Sequence, residues 1–260
     1  INSGDRILVE APTYLGALQA FNSYEARYLT VPLDGDGLQV DKLEQELRSG
    51  PKFLYVLPNF HNPAGTTLTV ERRNRLVELA SHYGVPILED DPYGQLRYEG
   101  EHQPPLVEID SEYHGERAGK AAAGGRFRGG VIYLSSLSKT LAPGLRIAWV
   151  VAPTDVIGRL VQIKQGADLH TSTFNQMVAF ETARGGFLDH HVKVLRDFYR
   201  QRRDAMLEAL KRYMPDGVEW TRPQGGLFLW LTLPAGDLQK VGAAAILLIV
   251  SLFVPCGAAA

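Results

Sequence analysis

Short apolar runs rich in β-branched residues alternate along this chain with segments of helical periodicity, and no other feature limits its folding as strongly. Six runs read as strands: Arg6–Glu10, Tyr28–Pro32, Phe53–Leu57, Pro86–Glu89, Val131–Leu134 and Ala148–Ala152. Between them lie amphipathic stretches. Asp41 and Glu44 are spaced as a capping box that opens a helix over Lys42–Arg48, with Leu43 and Leu47 on one face. Thr69 opens a second over Val70–Tyr83, where Leu76, Leu79, Ala80 and Tyr83 share a face. Continuous apolar strands joined by helices predict an α/β fold, with a mostly parallel sheet flanked by helices on both faces.

The pattern breaks over Glu101–Gly130, which is rich in Gly, Ala, Arg and Pro and reads as a surface connection. Phe187–Met214 then shows one long helical period, and Val218–Leu233 reads as strands. This predicts a large domain over 1–186, then a connecting helix and a partial small α+β domain over 187–260. Val241–Ala260 is uncharged, yet Pro255, its glycines and the lack of a flanking basic cluster favour a buried segment over a membrane anchor. The amino terminus shows no basic or apolar targeting pattern. A lone cysteine, Cys256, forbids an internal disulfide and suits a reducing compartment such as the cytoplasm. A formal net charge of -2 gives no electrostatic case for nucleic acid or an anionic membrane.

Chemistry concentrates where the strands end. Pro12-Thr13-Tyr14 follow the first strand, and Asn59-Phe60-His61-Asn62-Pro63-Ala64-Gly65 follow the third. The fourth runs into Asp90-Asp91-Pro92-Tyr93, and the fifth into Ser135-Ser136-Leu137-Ser138-Lys139, with Arg146 beyond. In a parallel sheet these ends converge on one crevice. They would bring together an aromatic ring, an amide, a carboxylate with a tyrosine, and a lysine with hydroxyls and a guanidinium. Pyridoxal 5'-phosphate (PLP) satisfies all of them. Its aldehyde needs an amine, its pyridine nitrogen a buried carboxylate, its phosphate hydroxyls and arginine, and its ring face an aromatic. Taken singly the residues have plainer readings: Asp90 as a helix cap, Asn62 as an Asx turn before Pro63, Tyr14 as a core aromatic. Asp91 reads as the solvent-facing member of its pair. His61, His170, His190 and His191 lack metal-ligand spacing. Asp34-Gly35-Asp36-Gly37 lacks the acidic twelfth position of a calcium loop and reads as a turn. No dinucleotide-binding or P-loop glycine signature occurs.

Asn62-Pro63-Ala64-Gly65, Asp90-Asp91-Pro92-Tyr93, Ser136-Leu137-Ser138-Lys139 and Pro143-Gly144-Leu145-Arg146 resemble, in order, the motifs of fold-type I class I/II aminotransferases. Glu10-Ala11-Pro12-Thr13-Tyr14, Gln165-Gly166-Ala167-Asp168-Leu169-His170 and Pro223-Gln224-Gly225-Gly226-Leu227-Phe228 narrow the resemblance. They point to the branch holding 2-aminoadipate aminotransferases and the effector domains of MocR-type regulators. The resemblance implies that Lys139 holds the aldehyde and moves the substrate's α-proton, and that Asp90 pairs with the pyridine nitrogen. Tyr93 and Asn62 would bond the ring oxygen, Tyr14 would stack on the ring, and Ser136, Ser138 and Arg146 would serve the phosphate. It further implies transfer between an α-amino acid and a 2-oxo acid in a homodimer. Family segments upstream of Ile1, and a downstream arginine that clamps the substrate carboxylate, have no counterpart in this sequence. Two further readings therefore stand beside the enzyme: a PLP-binding regulator domain and an inactive PLP-binding fragment.

Overall fold

A computed structural model of the chain describes residues 1–118, 129–234 and 246–249. A seven-stranded sheet forms its centre: β1 (Arg6–Ala11), β2 (Arg27–Asp34), β3 (Gly37–Leu38), β4 (Leu54–Val56), β5 (Ile87–Asp90), β6 (Val131–Ser136) and β7 (Ala148–Val151). Their order is β3-β2-β1-β4-β5-β6-β7. The strands from β2 to β6 run parallel, and β3 and β7 are antiparallel edges. Helices α1 (Leu15–Asn22), α2 (Leu43–Leu47), α3 (Val70–Tyr83) and α4 (Leu106–Ala118) flank the sheet, followed by α5 (Thr154–Asp168), α6 (Thr173–Ala183) and α7 (Phe187–Tyr213). A second sheet, ordered β10-β9-β8, comprises β8 (Glu219–Trp220), β9 (Phe228–Thr232) and β10 (Ile246–Ile249).

The central parallel strands β1 and β4 are buried on both faces, as their continuous apolar runs require. On one face Leu8, Val31, Leu54, Val56, Ile87 and Val131 pack against Leu43 and Leu47 of α2, Leu76 and Ala80 of α3, and Leu106 and Ile109 of α4. On the other, Ile7, Val9, Tyr55 and Leu57 pack against Ala17 and Phe21 of α1. Helix α3 begins as predicted, because the Thr69 side chain accepts from the Arg72 amide at 3.4 Å. The edge differs. Strand β7 exposes all four residues, and α5 buries none, leaving Trp149, Val150, Val151, Val161 and Ile163 open.

Two sequence-based expectations are corrected. The capping box at Asp41 does not form: a 3-10 turn over Val40–Lys42 precedes α2, which has no side-chain cap. That turn buries Val40 beside Leu43, and core packing overrides the local capping signal. Within Glu101–Gly130, read as a loop, lies helix α4. Its first turn is completed from a distant strand, where Glu89 accepts from the amides of Leu106 at 2.8 Å and Val107 at 2.9 Å. Residues 119–128 of that stretch lie outside the described residues, as does most of the uncharged tail. No helix among the described residues is long and apolar enough to cross a membrane.

Burial pushes the Glu89 carboxyl up to about 8, outweighing the two amides that favour its charged form. Its proton is thus held more tightly in the folded chain than in the unfolded one, whose reference value is 4.5. The stability this contributes is complete below 4.5 and is lost as pH rises through about 8. Urea midpoints should therefore fall between pH 5 and pH 8, and Glu89→Gln should flatten that fall whatever its absolute stability. An equally steep fall in the variant would contradict the assignment.

Candidate cofactor site

Strands β1, β4, β5 and β6 are consecutive neighbours, so their carboxyl ends share one rim of the sheet. Each supplies part of the site. Asp90 closes β5, pairing in register with Leu134 of β6. Its Oδ2 accepts from the Tyr55 hydroxyl at 2.6 Å, across the β4–β5 pair. Burial pushes the Asp90 carboxyl above its ordinary value, opposed by that hydrogen bond. Among the described residues no lysine, arginine or histidine forms an ion pair with Asp90. A half-buried carboxylate with a hydroxyl donor and no cation is matched to a positive charge that the described residues do not provide.

Past β6, Ser136 Oγ accepts from the Ser138 amide at 3.2 Å, which shapes the turn leading to Lys139. The Lys139 amine stands 6.0 Å from the centre of the Tyr93 ring. Tyr93 is buried, which raises its phenol pKa, and the neighbouring Asn62 side chain opposes that rise. The Tyr93 ring meets Phe228 of β9 edge-on at 5.4 Å and 86°. Phe60 completes that cluster beneath the Asn62 turn. Gly225 and Gly226 allow the second sheet's backbone to lie against Phe60, because a Cβ at either position would strike that ring or side chain.

The remaining predicted residues sit on the same rim. Tyr14 precedes α1 and is 39% exposed, near enough to Tyr55 and Tyr93 to disfavour ionisation of either phenol. The Leu137 amide donates to Ile147 O at 3.0 Å, which fastens the segment after Arg146 to the serine turn. Arg146 adopts a left-handed backbone (φ 53°, ψ 42°), and its exposed guanidinium donates to Pro143 O at 3.1 Å. Lys139, Tyr93, Asn62, Asp90, Ser136 and Ser138 thus occupy neighbouring strand ends, with Tyr14 and Arg146 at the more open margins.

Asp91 corrects the sequence-based reading, being 6% exposed rather than solvent-facing. It accepts from the Gly94 amide at 2.9 Å and the Tyr133 hydroxyl at 3.3 Å, and burial raises its pKa. Strand alternation separates the pair: Asp90 meets Tyr55, and Asp91 meets Tyr133. Tyr55 was missed by the sequence analysis. Its signal was a polar-tipped aromatic inside an apolar strand, which needs a buried partner. Asp34-Gly35-Asp36-Gly37 is the expected turn: the Asp36 amide bonds Asp34 Oδ1 at 2.9 Å, and Arg72 pairs with Asp34.

The sequence model for aminotransferase class I and II matches residues 1–256. Aromatic-amino-acid aminotransferase 1 of Thermococcus litoralis is 48% identical over 93% of this chain, which spans 55% of that protein's length. The crystal structure of Pyrococcus horikoshii kynurenine aminotransferase, in complex with PMP, superposes with a TM-score of 0.82 at 46% identity. That match covers 91% of this chain and 56% of the other. The α-aminoadipate aminotransferase of Thermus thermophilus, complexed with N-(5'-phosphopyridoxyl)-L-leucine, gives a TM-score of 0.82 at 42% identity. It covers 91% of this chain and 57% of that one.

Proposed function

This chain belongs to the aminotransferase class I and II family, and from that premise we propose that it binds PLP and moves an amino group between an α-amino acid and a 2-oxo acid. One observation carries the reading: a half-buried lysine lies over a buried tyrosine, just past the strand that neighbours a half-buried carboxylate with no ion-pair partner among the described residues. Bound there, PLP supplies an aldehyde conjugated to an electron-withdrawing ring that draws electron density from the substrate's Cα.

The chain's residues do the rest. Asp90 offers its carboxylate to the ring nitrogen and keeps that nitrogen's proton in place, while Tyr55 orients the carboxylate. Tyr93 and Asn62 present a phenol and an amide to the ring's oxygen. Tyr14 offers an aromatic face, and Ser136, Ser138 and Arg146 offer hydroxyls and a guanidinium to the phosphate. Lys139 Nζ holds the aldehyde. That nitrogen, once free of the aldehyde, would be the base that takes the proton from the substrate's Cα.

We read the donor as of aromatic, 2-aminoadipate or branched-chain type and the acceptor as an acid such as 2-oxoglutarate; the names of two relatives support the aromatic and 2-aminoadipate types. We read the working protein as a cytoplasmic homodimer that engages no nucleic acid, in keeping with its lone cysteine and small net charge. PLP added to the purified chain is expected to give a saturable visible absorbance band. Glutamate or 2-aminoadipate should then convert that band to the near-ultraviolet absorbance of pyridoxamine phosphate. A band that no amino acid moves would favour the regulator or inactive-fragment reading, and no saturable band would sink the proposal.

A further inference from the structure

We propose that Glu10 and His61 form a buried positioning pair that fixes the Asn62 turn, and through it Tyr93, for the cofactor. The proposal rests on the PLP reading above. Both side chains are sealed from solvent, Glu10 at 3% and His61 at 1% exposure. Glu10 is the penultimate residue of β1, four residues before Tyr14, and His61 directly precedes Asn62.

The contacts assign the imidazole its tautomer. His61 Nδ1 accepts from the Ala64 amide at 3.1 Å, so the ring proton resides on Nε2. Nε2 lies 3.1 Å from Glu10 Oε2, a close polar contact that lacks the alignment of a hydrogen bond, and that oxygen accepts from the Leu57 amide at 2.8 Å. The His61 backbone closes the turn from within, its amide donating to Thr66 O at 2.8 Å and its carbonyl accepting from the Gly65 amide at 2.6 Å. Asn62 sits inside this closed turn and reaches Tyr93 with its side chain.

Packing alone would be served by apolar residues, which avoid the desolvation cost of a buried carboxylate. A carboxylate set 3.1 Å from the one ring nitrogen that no hydrogen bond holds instead gives the ring a preferred direction. It ties the loop carrying Tyr14 to the loop carrying Asn62, across the β1–β4 pair. Glu10 also contributes its charge at Tyr55, the partner of Asp90. The pair therefore borders both polar arms of the site.

Two substitutions separate positioning from simple filling. A glutamine at 61 can accept from the Ala64 amide with its oxygen and donate to Glu10 with its nitrogen, whereas leucine does neither. His61→Leu is expected to weaken PLP binding by about 10- to 100-fold and to shift the bound cofactor's absorbance maximum. His61→Gln should restore both. If leucine lowers the urea midpoint but leaves affinity and spectrum unchanged, or if glutamine fails as leucine does, the pair is structural and the proposal falls. The cofactor-free protein decides independently. Imidazole nitrogen-15 spectra should place the ring proton on Nε2, with the Nε2 shift close to wild type in Glu10→Gln and clearly displaced in Glu10→Leu. An Nε2 shift indifferent to Glu10→Leu would overturn the pair even where PLP binds. This spectrum also serves if His61→Leu fails to fold, and it stands apart from the function proposal, which fails only when the wild-type chain takes up no PLP.

Discussion

Replacing Lys139 by alanine is expected to abolish the visible band of the PLP-loaded chain and to lower amino transfer by about 10⁴-fold. One nitrogen serves twice in this account, first as the group that holds the aldehyde and then as the base at Cα. No other described lysine can stand in for it. Lys42, Lys52, Lys164, Lys193 and Lys211 are all exposed, whereas Lys139 is half-buried above the Tyr93 ring. The loss should be local: the lysine caps no helix and forms no ion pair among the described residues, so the urea midpoint should move little. Added methylamine should restore part of the proton transfer, because a small free amine can enter the space left by the side chain. Retention of the band in Lys139→Ala would mean that the aldehyde is held elsewhere.

Replacing Asp90 by asparagine should reduce amino transfer by about 10³-fold while leaving the fold intact. The amide oxygen can still accept from the Tyr55 hydroxyl, so only the charge is removed. A carboxylate against a ring cation at contact is worth about 4 kcal/mol at an effective dielectric near 20, which corresponds to roughly 10³ in rate. Stability should move the other way. Burial raises the Asp90 pKa in the folded chain, so the stability linked to its proton is complete below the reference value of 3.8 and is lost as pH rises through the folded value. At neutral pH the uncompensated charge costs stability, and Asp90→Asn should equal or exceed the wild type in urea without PLP. A structural carboxylate would give the opposite sign, with lower stability and unchanged transfer.

Local patterning carried the reading wherever the determinants lie close in sequence. The parallel strands are legible because both of their faces are apolar, and Thr69 caps α3 from the position its side chain suggests. Lys139, Asp90, Tyr93 and Asn62 could be located because each follows a legible strand, and parallel strands gather such ends on one rim. What stayed hidden depends on distant partners. Helix α4 follows a stretch rich in proline and glycine, and Glu89 completes its first turn from seventeen residues upstream. The burial of Asp91 is set by Tyr133, forty-two residues away, and that of Tyr55 by Asp90, thirty-five away. Arg73 is likewise fully buried, yet its guanidinium is satisfied by Pro58 O, Leu68 O, Pro104 O and Asn59 Oδ1. No helical periodicity would place an arginine in the core. Strand β7 departs for another reason: its residues read as core, and in this structure they form an open sheet edge.

Borohydride reduction of the PLP-treated chain, followed by peptide mass spectrometry, tests the central claim most directly. A single phosphopyridoxyl group on Lys139, at stoichiometric PLP and without labelling of the five exposed lysines, is the outcome this account requires. Label spread over Lys42, Lys52, Lys164, Lys193 and Lys211 with Lys139 unmodified would contradict it.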